Sequence, residues 1–366
     1  MTREELFSLK LPAWDEAAAA EVRQRWDSIA KPLDSLGEFE RIFVRIGGLT
    51  GDAEIRTAPR TLVVFCADNG IVREGVSQCG QEVTAMVAED LVRGTSNVNR
   101  MAARAEVRVL PVDIGIAAEP TPEGLPDLHV CRGTKDFLLE PAMTEQETLD
   151  AIAAGMGIAA ERKACGDRIL AAGEMGIGNT TTAAAVIAGL TGCPAEEVCG
   201  RGSGLSDEGF SRKREVLRKA MERYHLSEDS AVCGPEKPDG RAEALRVLSC
   251  VGGADIAGLC GLILGAALNR IPVVLDGLIT AAAALAAERI LPGSRQALIP
   301  SHLGKERGME IVYRELSLDP VIRAALALGE GSGAVMLFPL LDLADAVYDT
   351  KRTFAQIELE PYRRFH

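Results

Sequence analysis

The hydrophobic positions along the chain predict buried strands that alternate with helices. Continuous apolar runs that end in Asp, Asn or Gly are typical of strands buried on both faces of a parallel sheet. Such runs lie at residues 61–70, 106–116 and 269–277, and another opens the segment 167–192. Helix-like spacing separates these runs, so we expect an α/β fold with a doubly wound parallel sheet. A last pair of elements is expected in residues 323–350.

Helix breakers and capping residues refine the predicted helices. Pro32 and Gly37 interrupt the apolar spacing of residues 13–50, so we expect two short helices there instead of one. Thr144 followed by Glu147 has the pattern of a capping box, which predicts the start of an amphipathic helix.

Composition and charge exclude several classes of protein. The chain has 366 residues, 47% of them hydrophobic and 4% aromatic, and a net charge of −13, which opposes binding to nucleic acid. Polar residues and Pro272 interrupt the apolar stretch 256–287, so it does not predict a membrane span. The first residues show no signal peptide and no CxxC pair occurs, so we expect a cytoplasmic protein. Residues 228–241 are rich in turn-forming residues and predict a surface loop.

Two glycine-rich segments are candidates for phosphate binding. In GEMGIGNTTT (173–182), glycines let backbone N–H groups approach a ligand, and the helix that follows favours an anion at its start. The alternative is a tight turn in which Asn179 or Thr180 caps that helix. In GRGSG (200–204), small residues lie beside a cation, and the alternative is a glycine loop with solvated basic residues.

Acidic residues beside glycines are candidates for catalysis. Glu330 is flanked by glycines and could act as a general base, or it could simply be a carboxylate favoured at a helix start. Asp276 follows a predicted strand and could belong to a site or cap the next helix. Three histidines, His129, His225 and His302, are interpreted as surface or structural residues, because no Ser/His/Asp triad or metal cluster is evident.

Taken in order, eight segments closely resemble the nicotinate-nucleotide:dimethylbenzimidazole phosphoribosyltransferase family. They are KPLDSLGEFE (31–40), VVFCADNGIVREGVSQCGQEVT (63–84), GEMGIGNTTTAAA (173–185), GRGSGLSDEGFSRK (200–213), VGGADIAGL (251–259), PVVLDGLITAAAAL (272–285), SHLGKERG (301–308) and LGEGSGA (328–334). The resemblance implies a Rossmann-like large domain at 56–295, a smaller helical domain built from 1–55 and 296–366, and a homodimer.

The resemblance also assigns roles to particular residues. It implies that Glu330 is the catalytic base and Glu174 a second acidic group of the site. Donor phosphate and ribose are expected at Gly176, Gly178, Asn179, Thr180, Thr181, Gly202, Lys213, Gly252 and Gly253, and the acceptor base at Asp68, Ser77, Cys79, Gln81, Val87 and Leu328. The chain departs from many relatives at Asn69, where they have His, and at Gly304, where they have Ser.

The implied reaction transfers 5-phosphoribosyl from nicotinate mononucleotide to an aromatic base such as dimethylbenzimidazole. Nicotinate leaves as a neutral pyridine nitrogen and the acceptor loses one proton, so a single base, Glu330, suffices. Glu174 would stabilise positive charge on the ribose, and direct displacement would invert the anomeric carbon. The scheme requires no metal or cofactor. A nucleotide glycohydrolase, and a small-molecule binding protein without activity, remain alternatives.

Overall fold

The centre of the fold is a sheet of parallel strands, which are β1 (Arg60–Ala67), β2 (Arg108–Gly115), β3 (Ile169–Met175), β4 (Val273–Leu275) and β5 (Leu298–Pro300). This computed structural model describes residues 1–202, 204–226, 240–350 and 352–364. The strand order is β2-β1-β3-β4-β5. The chain runs outward from β1 to β2, then returns to β3 on the other side of β1 and continues outward. This reversal confirms the doubly wound parallel sheet, which places ligands beyond the carboxyl ends of the strands.

Helices cover both faces of the sheet. In the described residues they are α1 (Arg3–Ser8), α2 (Glu16–Ser28), α3 (Glu38–Thr50), α4 (Glu82–Arg93), α5 (Asn97–Arg104), α6 (Glu145–Ala164), α7 (Asn179–Thr191), α8 (Ala195–Val198), α9 (Asp207–Arg223), α10 (Gly240–Val251), α11 (Ala254–Leu268), α12 (Leu278–Ile290), α13 (Arg307–Leu316) and α14 (Ser332–Tyr348). Short 3-10 turns lie at Gly70–Glu74, Ser294–Ala297 and Ala355–Ile357.

Alternate residues of each strand supply two separate hydrophobic cores. On β1, Phe65 packs into a core formed by α1 and α6–α13, whereas Val64 packs into a core formed by α2–α5 and α14. Both residues are fully buried. Because side chains of a strand alternate between faces, an uninterrupted apolar run is required when both faces are covered. This requirement explains why the strands could be recognised from the sequence.

Helices from the two ends of the chain pack against each other. The rings of Trp26, Phe43 and Tyr348 form a cluster with centroid distances of 4.9–5.4 Å. The boundary expected at residue 296, however, precedes β5 and α13, and β5 is a strand of the central sheet. The division into 1–55, 56–295 and 296–366 stays a prediction.

Most predicted elements are confirmed, and the differences are local. Residues 13–50 form two helices, and Thr144 with Glu147 forms the expected capping box. The pair expected in 323–350 is wrong, because only α14 forms there and the preceding residues are a loop. Of the loop expected at 228–241, only 240–241 lie in the described residues, and they begin α10. Among the described helices, none is long and apolar enough to cross a membrane.

Candidate active site

A cavity of about 320 Å³ opens beyond the carboxyl ends of β3, β4 and β5. Among the residues that the sequence assigned to a site, eight line it: Val87, Glu174, Gly176, Asn179, Thr180, Gly202, Leu328 and Glu330. These residues come from distant parts of the chain. The sheet brings them together because parallel strands end at one edge, where the loops that follow them meet.

Glu174 lies at the end of β3 and is largely buried. Asn179, at the start of α7, donates a hydrogen bond from its side-chain amide to Glu174 and another, of 3.1 Å, to Asp255. Burial, with the charges of Asp255 and Asp276 next in size, raises the pKa of Glu174 to about 8. Burial raises the pKa of Asp255 to about 6. This shift favours the protonated form of Glu174 near neutral pH.

Glu330 lies in a backbone turn of unusual geometry. Gly329, Glu330 and Gly331 have φ angles of +84°, +60° and +86°, three consecutive residues in the left-handed region. For a residue with a Cβ atom this conformation costs about 1–2 kcal/mol, so the flanking glycines limit the strain to Glu330 itself. The turn lies against β3, where a Cβ atom on Gly173 would approach the Glu330 carbonyl oxygen to 2.9 Å.

The side chain of Glu330 does not belong to the helix that follows it. Gly331 is the N-cap of α14, and the Glu330 carboxylate instead accepts a 3.4 Å hydrogen bond from the backbone N–H of Val98, in the first turn of α5. The carboxylate of Glu330 therefore lies at the start of α5 and does not cap α14, so its interpretation as a helix-start carboxylate stays an alternative. Glu330 and Glu174 line the same cavity, and a Cβ atom on the intervening Gly329 would lie 3.3 Å from a Glu174 carboxylate oxygen.

Asp276, at the end of β4, holds the Glu330 turn in place. Its carboxylate accepts hydrogen bonds from the backbone N–H groups of Gly331 (3.1 Å), Gly333 (2.7 Å) and Ala334 (3.3 Å). Asp276 thus caps α14, and it does not cap the next helix in sequence, α12, whose start has no side-chain cap. It also lines the cavity. Burial raises the pKa of Asp276, and these N–H groups oppose that shift.

His302 was interpreted as a surface or structural residue, but it lines the cavity. It follows β5, is buried, and its Nδ1 lies 2.9 Å from the Ser301 hydroxyl. Burial lowers the pKa of His302. Side chains of His302 and Asp276 both meet at Gly333, where a Cβ atom would overlap the imidazole. Two signals in the sequence could have marked His302: its place in the segment SHLGKERG (301–308), and its position just after β5, a three-residue strand that the apolar pattern did not reveal.

From the turn between β3 and α7, Gly176 and Thr180 line the cavity together with Ile177 and Asn179. Gly178, with φ +94°, is the N-cap of α7, so the alternative in which Asn179 or Thr180 caps this helix is wrong. Gly176 lies so close to β1 that a Cβ atom there would overlap the Ala67 carbonyl oxygen. Thr181 is fully buried beneath the turn, and neither it nor Gly178 lines the cavity.

A buried lysine stands behind the cavity wall. Lys213, on α9, is fully buried, and its ammonium group donates a 3.0 Å hydrogen bond to the Thr180 hydroxyl. Burial lowers the pKa of Lys213. The backbone N–H of Gly202, close to this ammonium group, donates a 3.1 Å hydrogen bond to the carboxylate of Glu306. Lys213 thus lies behind Thr180 and Gly202, which line the cavity, and does not line it itself.

Several predicted site residues lie outside the cavity lining. Gly252 and Gly253 join α10 to α11, where Gly253 packs against Asn69 and Asp255. Asp68 is buried and accepts a 2.8 Å hydrogen bond from the backbone N–H of Ala117. It does not line the cavity. The other predicted residues outside the lining are Ser77, Cys79 and Gln81, on the segment between β1 and α4.

Part of the cavity lining is apolar. Its aliphatic and thioether side chains come from β3, α4, α12, α13 and the loop before α14, and they are Met175, Val87, Leu278, Ile279, Met309, Leu326 and Leu328. The carboxylates and the glycine turns belong to the same lining. Such a mixed lining suits a ligand with one flat apolar part and one polar, anionic part.

The fold and the cavity define an α/β enzyme whose site lies at the carboxyl edge of a parallel sheet. A sequence profile of a family described as phosphoribosyltransferase matches residues 11–358. The chain belongs to this phosphoribosyltransferase family.

Its relatives cover almost the whole chain. The nicotinate-nucleotide–dimethylbenzimidazole phosphoribosyltransferase of Clostridium acetobutylicum is 40% identical over 349 residues, 95% of this chain and 96% of its own length. The enzyme of the same name from Chloroflexus aurantiacus is 41% identical over 345 residues, 93% of this chain and 94% of its own length. The crystal structure of CobT from Thermus thermophilus superposes with a TM-score of 0.84 at 37% identity, covering 94% of this chain and 99% of that chain.

Proposed function

We propose that this enzyme transfers 5-phosphoribosyl from nicotinate mononucleotide to dimethylbenzimidazole or a related base, with inversion at the anomeric carbon. The products are an α-riboside 5′-phosphate and nicotinate, for the lower ligand of a cobamide. The observation that carries the proposal is that Glu174 and Glu330 line one cavity together with apolar side chains and residues of glycine-rich turns. Assembly as a homodimer is part of the proposal.

The donor phosphate is proposed to bind where Thr180 and Gly202 line the cavity, with the ammonium group of Lys213 close behind. Asn179 and Thr180 begin α7, and the dipole of a helix start favours an anion. Because burial already disfavours the charged form of Lys213, an approaching phosphate dianion would stabilise its charge strongly.

Glu330 is proposed to act as the general base. The acceptor must lose its ring N–H proton while its other nitrogen bonds to the ribose C1′, and a carboxylate within hydrogen-bond reach can take that proton. The rigid Gly329–Gly331 turn and the three hydrogen bonds to Asp276 hold this carboxylate in one place. Fixed positioning of base, acceptor and sugar lowers the entropic part of the barrier.

Glu174 is proposed to stabilise positive charge on the donor. Burial raises its pKa to about 8, which favours the protonated form near neutral pH. The pyridinium ribose brings a positive charge, which favours the ionised carboxylate and so lowers this pKa. Donor binding below pH 8 is therefore coupled to proton release, and the carboxylate becomes charged only when it has a cation to stabilise.

The experiment that tests the proposal is product analysis of the wild type and Glu330→Gln. Mass spectrometry of nicotinate mononucleotide mixed with a panel of bases should show a new riboside phosphate and nicotinate. In Glu330→Gln the kcat should fall by about 100-fold or more, the usual contribution of a general base, while donor affinity stays near wild type. A kcat close to wild type would remove Glu330 from this role.

Two controls separate the alternative functions. Nicotinate release that does not depend on an added base would indicate a glycohydrolase instead. Donor binding without turnover on any base would indicate a binding protein. Glu310→Gln is a matched variant, since Glu310 is an exposed carboxylate on α13 that does not line the cavity, and it should keep the wild-type kcat.

A further inference from the structure

Glu306, which has no role in the proposed reaction, brings a carboxylate to the cavity lining beside Gly202. It is the last residue before α13 and lines the cavity. One carboxylate oxygen accepts the 3.1 Å hydrogen bond from the N–H of Gly202. The approach is so close that a Cβ atom on Gly200 would overlap the carboxylate. Glycine at position 200 therefore permits this contact.

The contact leaves the carboxylate only half satisfied. Its second oxygen is buried and, among the described residues, has no hydrogen-bond donor. Burial lowers the pKa of Lys213, and the charge of Glu306 opposes that shift. Among the described residues, however, Lys213 and Glu306 form no ion pair, and Lys213 donates its hydrogen bond to Thr180. A buried carboxylate oxygen without a donor is costly, so this arrangement is a poor permanent structural contact.

The same N–H group cannot serve Glu306 and a ligand phosphate together. A backbone amide has one hydrogen to donate, and two anions at one subsite repel each other. The proposed function places the donor phosphate at Gly202, Thr180 and Lys213. We propose that Glu306 is an internal anion that fills the donor-phosphate subsite while it is empty and leaves when phosphate enters.

The position of Glu306 gives its carboxylate somewhere else to go. Glu306 is the N-cap residue of α13, and in the described structure its side chain does not cap that helix. The unpaired N–H groups and the dipole of a helix start favour a carboxylate. Rotation of one side chain from Gly202 to the start of α13 would exchange one partner for another. Phosphate binding thereby competes with the contact between Glu306 and Gly202. This competition lowers the affinity of the subsite for every phosphorylated ligand.

The test compares phosphate affinity in the wild type, Glu306→Ala and Glu306→Gln. Dissociation constants for inorganic phosphate and nicotinate mononucleotide are measured by titration calorimetry at constant ionic strength. In Glu306→Ala both ligands should bind more tightly, on the order of tenfold, which corresponds to about 1.4 kcal/mol. Glu306→Gln keeps the acceptor but loses the charge, so it should show a smaller gain. Weaker or unchanged phosphate binding in both variants would overturn the proposal.

A donor without phosphate supplies the specificity control. Nicotinate riboside lacks the group that competes with Glu306, so its affinity should be the same in Glu306→Ala and the wild type. Equal tightening of riboside and mononucleotide would mean that the variant merely opens the cavity, and would overturn the proposal. Glu310→Ala removes an exposed carboxylate four residues away and should leave phosphate affinity unchanged.

The inference rests on the proposed phosphate subsite, and Lys213→Ala tests that subsite separately. If Lys213→Ala leaves phosphate affinity unchanged, the subsite is elsewhere and both proposals about it fail. If Lys213→Ala weakens phosphate binding but Glu306→Ala does not strengthen it, the subsite stands and only the role of Glu306 fails. If Glu306→Ala does not fold, Glu306→Gln carries the same comparison with a side chain of nearly the same shape.

Discussion

Replacing Asp276 with asparagine should loosen the turn that holds Glu330. The carboxylate accepts three backbone N–H groups, whereas an asparagine offers one acceptor oxygen and turns an NH2 group toward at least one of them. A buried donor without a partner costs about 1–3 kcal/mol, and losing negative charge at a helix start costs about 0.3–1 kcal/mol. Burying a neutral asparagine avoids the desolvation cost that raises the pKa of Asp276, and this gain offsets part of the loss. We therefore expect the free energy of unfolding to fall by about 2 kcal/mol.

This loss converts into a small shift of the melting temperature. An unfolding entropy of about 2.1 cal/mol/K per residue gives about 0.77 kcal/mol/K for 366 residues. A destabilisation of about 2 kcal/mol therefore lowers Tm by about 3 °C. Calorimetry or circular dichroism resolves such a shift, and most molecules remain folded at the temperature of an activity assay.

The effect on catalysis should be much larger than the effect on stability. Displacement of a catalytic group by about 1 Å costs about 100-fold in rate, so we expect kcat to fall by that order while donor KM changes little. Asp113→Asn is the matched control. Asp113 is equally buried, lies in β2 outside the cavity lining, and accepts the N–H groups of Gly115 and Ile116.

The comparison separates positioning from general destabilisation. Asp113→Asn retains the single oxygen that accepts both N–H groups, so it should lose less stability than Asp276→Asn, and it should keep a kcat near wild type. If the two variants show the same Tm and the same kcat, Asp276 contributes only to folding. Asp276→Asn could instead raise the donor KM by as large a factor as it lowers kcat. In that case Asp276 acts on donor binding, and its role in positioning Glu330 is refuted.

Two further predictions follow from buried groups near the cavity. The pKa of Glu174 rises from 4.5 to about 8 on folding, so the native state retains a proton that the unfolded chain releases, and stability falls as pH rises through that window. Glu174→Gln should therefore gain stability over wild type progressively from pH 5 to 8 in urea unfolding, and a pH-independent difference would contradict the shift. Gly331→Ala should cost about 1–2 kcal/mol of backbone strain plus about 1–3 kcal/mol of overlap with Leu62. Gly94→Ala, with φ +75° and no neighbouring atom within 4 Å, should show the strain alone, and equal Tm losses in the two would refute the contact.

Much of the candidate site was predictable because its residues sit at recognisable ends of strands. Glu174 and Asn179 belong to a glycine loop between an apolar run and a helix, a pattern that is visible in one dimension. Glu330 was marked by flanking glycines, which its left-handed backbone requires. Asp276 was recognised as a candidate, but its partner was not, because the helix that it caps begins 56 residues later in the chain.

Two residues of the cavity lining, His302 and Glu306, were given no role by the sequence, although both lie in the segment 301–308. His302 and Glu306 follow β5, whose three residues carry too short an apolar run to mark a strand. The predicted base-binding residues Ser77, Cys79 and Gln81 failed to reach the cavity lining, because the segment between β1 and α4 contacts other loops: Gln78, for example, donates to the Gly204 carbonyl.

The sequence by itself determined the class of fold, the position of most helices and strands, and the family to which the chain belongs. These properties follow from local patterns, since burial on two faces demands apolar runs and turns demand glycine. Only the tertiary structure decided which groups meet. Burial beside Asp255 and Asp276 shifts the proton equilibrium of Glu174, and the capping of α14 by Asp276 fixes Glu330. Both effects depend on distances across the sheet edge, and the order of residues along the chain does not encode those distances directly.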